Sequence, residues 1–358
     1  MNSKSLWIVC VVLVATLLTS ALHAADAPQA TKPNILVLFS DDQGYHDLSC
    51  QGCQDIRTPN IDSLAHNGVR CTSGYVSSCM CSPSRAGLIT GRSQSRFGHE
   101  INWEGHDASG LRGLPVTEKT LADHLKTAGY RTGCIGKWHL GDVPKFHPNQ
   151  RGFDEFFGFT NGGHDYFCEK YVPAKNGIET YRTRLQRNGT PEEHTGYLTT
   201  VLGREAAAFI HRNKDQPWFL YMAFNAPHTP LQASQEHLDR CASIADPQRR
   251  NYAAMVTALD DAVGDILGQL RGDGLDHNTV QRVVEGGPGP LQQEAQQHHQ
   301  GVQPEQGLDQ EDQGVGQVGA VHSLAPQQPR QLLGAVPRPG QGLVEQAAQV
   351  ALVEDAEG

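Results

Sequence analysis

Strand-like and helix-like segments alternate from about residue 32 to residue 279, and this alternation constrains the fold most. Asn34–Phe39 (NILVLF) is a short continuous apolar run, typical of a strand that is buried on both faces. TPNIDSLAHNG has a helix start at Thr58 and Pro59 and a stop signal at Gly68. The pattern predicts an α/β fold with a mainly parallel sheet sandwiched by helices.

Further helices are predicted in TEKTLADHLKTAG, GYLTTVLGREAAAFIHRN and RRNYAAMVTALDDAVGDILGQLR, and further strands in YRTGCIGKW and PWFLYMAF. Functional residues in such sheets gather where strands end. Asp41 and Asp42 directly follow the first predicted strand. Two adjacent carboxylates repel each other unless a cation compensates, and their hard oxygens suit Ca²⁺ or Mg²⁺. Taken alone, the pair also fits a solvated turn.

The charge balance excludes one class of function. Asp and Glu outnumber Lys and Arg by 39 to 29, for a net charge of −10. A general nucleic-acid surface needs clustered basic residues, so no nucleic-acid partner is expected. Any site for an anion must therefore be local.

The N-terminus has the pattern of an export signal, predicted over residues 1–24. Lys4 precedes the apolar run Leu6–Leu18, and small residues follow. The run is short for a stable membrane span, so a secreted or periplasmic protein is predicted, with a retained anchor as the alternative. In a eukaryotic secretory pathway, the NGT sequence at Asn188 would fit a glycosylation sequon.

Export would remove Cys10 with the signal segment and makes disulfides possible among the eight cysteines that remain of nine. Cys50 and Cys53 form a lone CxxC with no second pair at zinc-finger spacing. A small bridge or free thiols fit this pair better than a zinc site.

The segment CMCSPSRAGLITGR contains Cys81, Pro83 and Arg85 just before a helix-like run. A cysteine nucleophile, a metal thiolate or a disulfide would need neither Pro83 nor Arg85 at those offsets. Five other segments accompany it along the chain: PNILVLFSDDQGYHDLSCQG, TPNIDSLAHNGV, GYRTGCIGKWHLG, HPNQRGFDEFFGF and FLYMAFNAPHTPL. Together these six segments closely resemble the sulfatase family, arylsulfatase type, of the alkaline-phosphatase superfamily, over about Lys32 to Thr279.

The resemblance implies that Cys81 is oxidised to formylglycine by a formylglycine-generating or equivalent modifying enzyme. Pro83 and Arg85 resemble the signal that this enzyme reads. A hydrated aldehyde has two hydroxyls, one to attack sulfur and one whose deprotonation expels sulfate. SRAGLITG should form a helix whose N-terminal amides suit a bound anion.

The resemblance also assigns roles to the other matching residues. Asp41, Asp42 and modified residue 81 would bind one Ca²⁺ ion.

Arg85 would orient the aldehyde hydrate, and Lys137 and His139 of GKWHLG would contact sulfate and formylglycine. His228 of NAPHTPL would face the leaving oxygen, since a protonated histidine can donate to a departing alkoxide. His164 in GGHDYF is a candidate for lining the substrate entrance. All these residues except His164 are predicted to meet Asp41 and Cys81 in one pocket.

The chain departs from the family after GLDHNT. A sulfatase continues into an apolar strand ending in Asp-Asn-Gly-Gly, which completes the calcium shell, then a further lysine and a smaller subdomain. Residues 280–358 are instead rich in Gln, Gly and Pro, with no lysine or aromatic residue. They fit a disordered extension or, as we favour, an out-of-frame or mis-joined translation. We expect the strand to be lost, and Glu285 receives no metal role.

The sequence thus predicts an incomplete sulfatase catalytic domain over residues 32–279, followed by a tail over residues 280–358. The predicted reaction is hydrolysis of an aryl or carbohydrate sulfate ester, impaired here because distal metal ligands are missing. The alternatives are a truncated inactive relative and a phosphomonoester or phosphonate hydrolase of the same superfamily.

Overall fold

The structure of the protein is a computed structural model that describes residues 32–102, 110–167 and 184–286. Its strands are β1 (Asn34–Asp41), β2 (Arg131–Lys137), β3 (Glu155–Phe159), β4 (Leu185–Arg187), β5 (Thr190–Glu192), β6 (Trp218–Ala223) and β7 (Thr279–Gly286). Its α-helices are α1 (Pro59–Asn67), α2 (Cys81–Thr90), α3 (Leu121–Thr127), α4 (Leu198–Arg212), α5 (Gln235–Arg240) and α6 (Pro247–Gly272). The predicted helix boundaries at Thr58 and Gly68 are confirmed, since these residues cap α1.

The strands form one sheet in the order β5-β4-β3-β2-β6-β1-β7. Strands β3, β2, β6, β1 and β7 are parallel to one another, whereas β4 and β5 add an antiparallel hairpin beside β3 at one edge. The parallel strands come from distant parts of the chain, so their carboxyl ends bring distant loops to one edge of the sheet.

Alternate residues of the central strands face two separate hydrophobic cores. Leu36 and Leu38 of β1 pack on one face with residues of α4 and α6. Val37 and Phe39 pack on the other face with residues of α2 and α3. Because side chains alternate along a strand, a continuous apolar run supplies both cores. The predicted α/β sandwich is confirmed.

Strand β7 corrects the expectation that the chain loses a strand after residue 279. It pairs with β1 along its whole length, from Asn34 opposite Thr279 to Asp41 opposite Gly286. Val283 packs against one core and Val284 against the other. β-Branched residues suit a sheet, and β1 would otherwise present an unpaired edge. The high Gln, Gly and Pro content of residues 280–358 as a whole gives no indication of this short strand.

The sheet and its helices belong to one compact unit, of which the exposed residues Cys71–Tyr75 are not part. None of the helices in the described ranges has the length and apolar character of a membrane span. The predicted signal segment 1–24 and tail residues 287–358 lie outside the described residues.

Candidate active site

Three neighbouring strands bring the predicted site residues to one edge of the sheet. Asp41 is the last residue of β1, and Lys137 is the last residue of β2. Strand β6 lies between them, and the loop that follows it carries His228. All three strands run in the same direction, so their ends are adjacent although the residues are far apart in sequence.

Asp41 lies between two buried cations. Lys137 Nζ forms an ion pair with Asp41 Oδ2, and Arg85 Nη2 lies 3.1 Å from Oδ1. Neither cationic side chain has any solvent exposure, and that of Asp41 keeps 2%. Burial alone would raise the pKa of Asp41, but attraction to Lys137, Arg85 and His228 holds it well below its usual range. Asp41 is therefore ionised at neutral pH.

Arg85 connects helix α2 to the ends of two strands. Its Nη1 donates a hydrogen bond of 2.7 Å to the carbonyl oxygen of Lys137. Its guanidinium carbon lies 4.8 Å from the ring centroid of Phe39 in β1. The planar guanidinium thus fixes the start of α2 against the sheet, beside Cys81.

Cys81 is the first residue of α2 and lines a small cavity. The cavity is lined by Phe39, Asp41, Asp42, Ser78, Cys79, Met80, Cys81 and Ser84. Burial, opposed by Lys137 and reinforced by Asp41 and Asp42, raises the pKa of the Cys81 thiol to about 11. The thiol is therefore protonated at neutral pH and a poor nucleophile as it stands.

Asp42 and His228 face each other at the same site. His228 Nε2 lies 3.6 Å from Asp42 Oδ2. The other ring nitrogen, Nδ1, is 2.6 Å from the carbonyl oxygen of Thr229, which can only accept, so Nδ1 carries a proton. Tyr166 Oη donates to the carbonyl oxygen of His228 at 2.9 Å and holds the loop. Desolvation and then the charge of Asp41 raise the pKa of Asp42.

His139 is attached to the site through its main chain. It has a φ of 54°, and its carbonyl oxygen accepts a hydrogen bond of 2.6 Å from Ser82, the residue after Cys81. Its imidazole packs against Gly162, where an added Cβ would lie 2.9 Å from the ring. His164 is fully buried, with its ring centroid 5.1 Å from that of Phe159, so it does not line an open entrance.

The structure thus brings together Asp41, Asp42, Cys81, Arg85, Lys137 and His228, while the His139 main chain lies beside them. The roles assigned to these residues stay predictions. Sequence analysis missed the supporting residues Phe39, Ser82 and Tyr166. Ser82 and Tyr166 lie inside quoted motifs, but nothing in a motif shows which distant group a hydroxyl reaches.

The donor groups fit a calcium ion in part. The charges of Asp41, Asp42, Arg85 and Lys137 sum to zero, so an anionic substrate would need a further cation. Two carboxylates and an oxygen on residue 81 are hard donors of the kind that Ca²⁺ prefers, but fewer than its usual six to eight. With the cysteine in place, the donors that cluster are Asp41, Cys81 and His228, whose ligand atoms lie within 4.8 Å of one another.

The CxxC pair lies elsewhere. Cys53 is a free thiol whose Sγ is 3.0 Å from Asp55 Oδ1, so it does not form the small bridge.

Comparison with known proteins identifies the family. The model of the Sulfatase family matches residues 33–281. N-acetylgalactosamine-6-sulfatase of Mus musculus is 37% identical over 281 residues, which cover 75% of this chain and 52% of the relative. Arylsulfatase of Klebsiella aerogenes is 31% identical over an alignment of 336 positions, gaps included, that covers 78% of this chain and 70% of the relative. The chain therefore spans about half the length of the mouse relative.

The fold agrees with solved structures. The crystal structure of Ps i-CgsB superposes with a TM-score of 0.67 at 40% identity, covering 73% of this chain and 60% of that one. The same protein has been solved in complex with k-i-k-neocarrahexaose at the same similarity. With the family match over most of the chain and the motif residues gathered at one sheet edge, the chain belongs to the sulfatase family.

Proposed function

We propose that this chain hydrolyses sulfate esters at residue 81, after conversion of Cys81 to formylglycine. We propose further that it does so more slowly than a sulfatase with the complete set of calcium ligands. The observation that carries the proposal is the buried Arg85–Asp41–Lys137 cluster, with Cys81 and His228 beside Asp41. Family membership supports the reaction class. A phosphomonoester or phosphonate hydrolase remains the alternative because the same charges would bind phosphate.

The chain's own residues supply the sulfate site. An ammonium has three N–H donors, and Lys137 uses one on Asp41, which leaves donors for sulfate oxygens. Cys81 opens helix α2, whose dipole favours an anion there, but the Ser82 N–H already donates to Asn102 Oδ1 at 2.9 Å and Pro83 has no N–H. Arg85 holds this helix end in place through its bonds to Asp41 and to the Lys137 carbonyl. These groups therefore stabilise negative charge on the oxygens of the sulfuryl group.

His228 is the proton donor for the leaving oxygen. Its Nδ1–H is directed at the Thr229 carbonyl, so the proton exchanged with substrate is carried on Nε2. Nε2 lies towards Asp42, 3.6 Å from its Oδ2. The hydrated aldehyde at residue 81 would supply two hydroxyls on one carbon. Production of this group requires the modifying enzyme as a partner.

One Ca²⁺ ion would be held by Asp41, Asp42 and an oxygen on residue 81, and would supply the positive charge that the site lacks. Of the calcium ligands expected in the family, the chain keeps only these three, because GLDHNT is not followed by Asp-Asn-Gly-Gly. Strand β7 restores the neighbour of β1 but not those side chains. The expected result is weak calcium binding and a low rate.

The substrate class that we propose is a carbohydrate sulfate, with an aryl sulfate as a test substrate. One relative is named for N-acetylgalactosamine 6-sulfate, and Ps i-CgsB has been solved with a neocarrahexaose. Secretion or export to the periplasm, as residues 1–24 predict, would place the enzyme where such polymers occur.

The test uses the 358-residue chain with formylglycine confirmed at residue 81. It should release phenol from an aryl sulfate, faster with calcium, and the Cys81→Ala variant should be inactive. An aryl phosphate assayed in parallel should react more slowly. Faster phosphate hydrolysis would favour the alternative, and activity that survives in Cys81→Ala would refute the assignment of the reacting residue.

A further inference from the structure

We infer that the pocket with unmodified Cys81 is a site for Zn²⁺, and that conversion of the cysteine changes the metal preference of the pocket from zinc to calcium. The zinc ligands are Asp41, Cys81 and His228, with the fourth position open to water. The inference concerns the chain before conversion, so it does not depend on the proposed sulfatase activity.

The donor set is the first reason. A thiol sulfur, an imidazole nitrogen and a carboxylate oxygen lie within 4.8 Å of one another. Sulfur and nitrogen donors suit zinc, whereas calcium takes oxygen alone. Donors bound to one zinc ion at about 2.0–2.3 Å lie about 3.3–3.8 Å apart in a tetrahedral arrangement. Side-chain rotation therefore has to close about 1–1.5 Å at most.

The orientation of His228 is an independent reason. Histidines that bind metals usually donate the second ring N–H to a carboxylate or carbonyl oxygen, which fixes the tautomer. His228 Nδ1 is 2.6 Å from the Thr229 carbonyl oxygen, so in the neutral ring Nε2 carries the lone pair. Tyr166 binds the His228 carbonyl at 2.9 Å and holds the same loop. The imidazole is therefore positioned as a metal ligand would be.

The charges around the site are compatible with a bound Zn²⁺ ion. Lys137 and Arg85 each engage one oxygen of Asp41, but each carboxylate oxygen has two lone pairs. Asp42 lies next to this cluster, and together with Asp41 it offsets the two cations. On binding, a zinc–sulfur bond replaces the S–H bond of Cys81, and the proton leaves to water. No oxidation or reduction is involved.

Conversion removes the sulfur that selects zinc. Two hydroxyl oxygens then replace one thiol, and the remaining carboxylates of Asp41 and Asp42 make a harder donor set. The same pocket thus binds a thiophilic metal before modification and a hard cation after it. Zinc bound to the unconverted chain would shield the Cys81 thiol from reagents.

The experiment uses Co²⁺ as a spectroscopic substitute for zinc in purified, unconverted chain. One equivalent of Co²⁺ should produce a thiolate-to-cobalt charge-transfer band, which Zn²⁺ should then remove by displacement. Cys81→Ser and fully converted chain should lack the band. Cys79→Ser, in the same cavity, and Cys71→Ser, on the exposed segment, should keep it.

A zinc competition assay with a chromophoric chelator measures the other ligands. His228→Gln should weaken zinc binding by more than the roughly 10–100-fold that loss of an outer partner costs. Zinc should also slow alkylation of Cys81 by iodoacetamide while leaving Cys71 labelling unchanged. Absence of the band in the unconverted chain, its survival in Cys81→Ser, or its loss in Cys79→Ser would overturn the assignment. Circular dichroism of each variant separates loss of binding from loss of fold.

Discussion

Replacing Asp41 by Asn should destabilise the fold more than replacing Lys137 by Met, although the first change is chemically smaller. Asp41→Asn leaves Lys137 and Arg85 buried with no anion between them, and neither side chain has any exposure. Lys137→Met leaves Asp41 paired with Arg85 at 3.1 Å, and methionine retains much of the apolar stem. The difference therefore reports on the Asp41 charge.

The magnitudes follow from the two kinds of loss. Leaving a buried charge without its partner costs about 3–5 kcal/mol, which we expect for Asp41→Asn. Loss of one hydrogen bond to a charged group costs about 1.5–3 kcal/mol, which we expect for Lys137→Met. In the double variant only Arg85 lacks its partner. The decrease in its free energy of unfolding should therefore be about 0.5–3 kcal/mol smaller than the sum of the two single decreases.

Urea unfolding at neutral pH, followed by the fluorescence of the buried residues Trp138 and Trp218, measures these free energies of unfolding. The control is Glu192→Gln, which breaks an exposed pair with Arg187 and should cost about 0.2–1 kcal/mol. If the two single losses were equal, or if they added to within about 0.3–0.5 kcal/mol, the cluster would not be the coupled unit described above.

Three further predictions concern pH, backbone and metal. Because the pKa of Asp41 is lower in the folded state, its charge stabilises the fold fully above the unfolded-state pKa of 3.8. This stabilisation is lost as the pH falls through the folded-state pKa, so the unfolding curves of the wild type and of Asp41→Asn should converge in acid. Gly136→Ala should destabilise by about 4 kcal/mol or more, because φ is 104° and the new Cβ would lie 1.9 Å from the Ala223 oxygen. Gly268→Ala in α6, where a Cβ meets nothing within 4 Å, should instead stabilise by up to about 1 kcal/mol, and the opposite order in urea unfolding would contradict the close approach of β2 and β6. Calcium should bind the converted chain with a dissociation constant of about 10⁻⁴ M or weaker by calorimetry, and much tighter binding would mean that further ligands are present.

The positions of the site residues could be predicted because they follow strands. Asp41, Lys137 and His228 come at or after apolar runs, and a parallel sheet brings such positions to one edge. The contacts among them could not be predicted in the same way. That the Arg85 guanidinium lies over Phe39 depends on how α2 packs on the sheet, and residue order does not determine that.

The edge strands were missed for two different physical reasons. Strand β7 lies in a segment whose overall composition indicates disorder, but a few β-branched residues beside an unpaired strand are enough to extend a sheet. The β4–β5 hairpin turns at Asn188 and Gly189, whose φ angles are 51° and 85°. Asn-Gly is a strong hairpin signal because both residues tolerate positive φ. Sequence analysis had treated the same letters only as a glycosylation sequon.

The central claim is that residue 81 is the reacting residue of a formylglycine-dependent sulfatase site. Its most direct test is mass spectrometry of the peptide containing Cys79 and Cys81, from chain expressed with the modifying enzyme. Only Cys81 has Pro and Arg at the second and fourth positions that follow, and it opens α2 beside Asp41. We predict an aldehyde at residue 81 with Cys79 intact. An aldehyde at residue 79 with Cys81 unchanged would contradict the account.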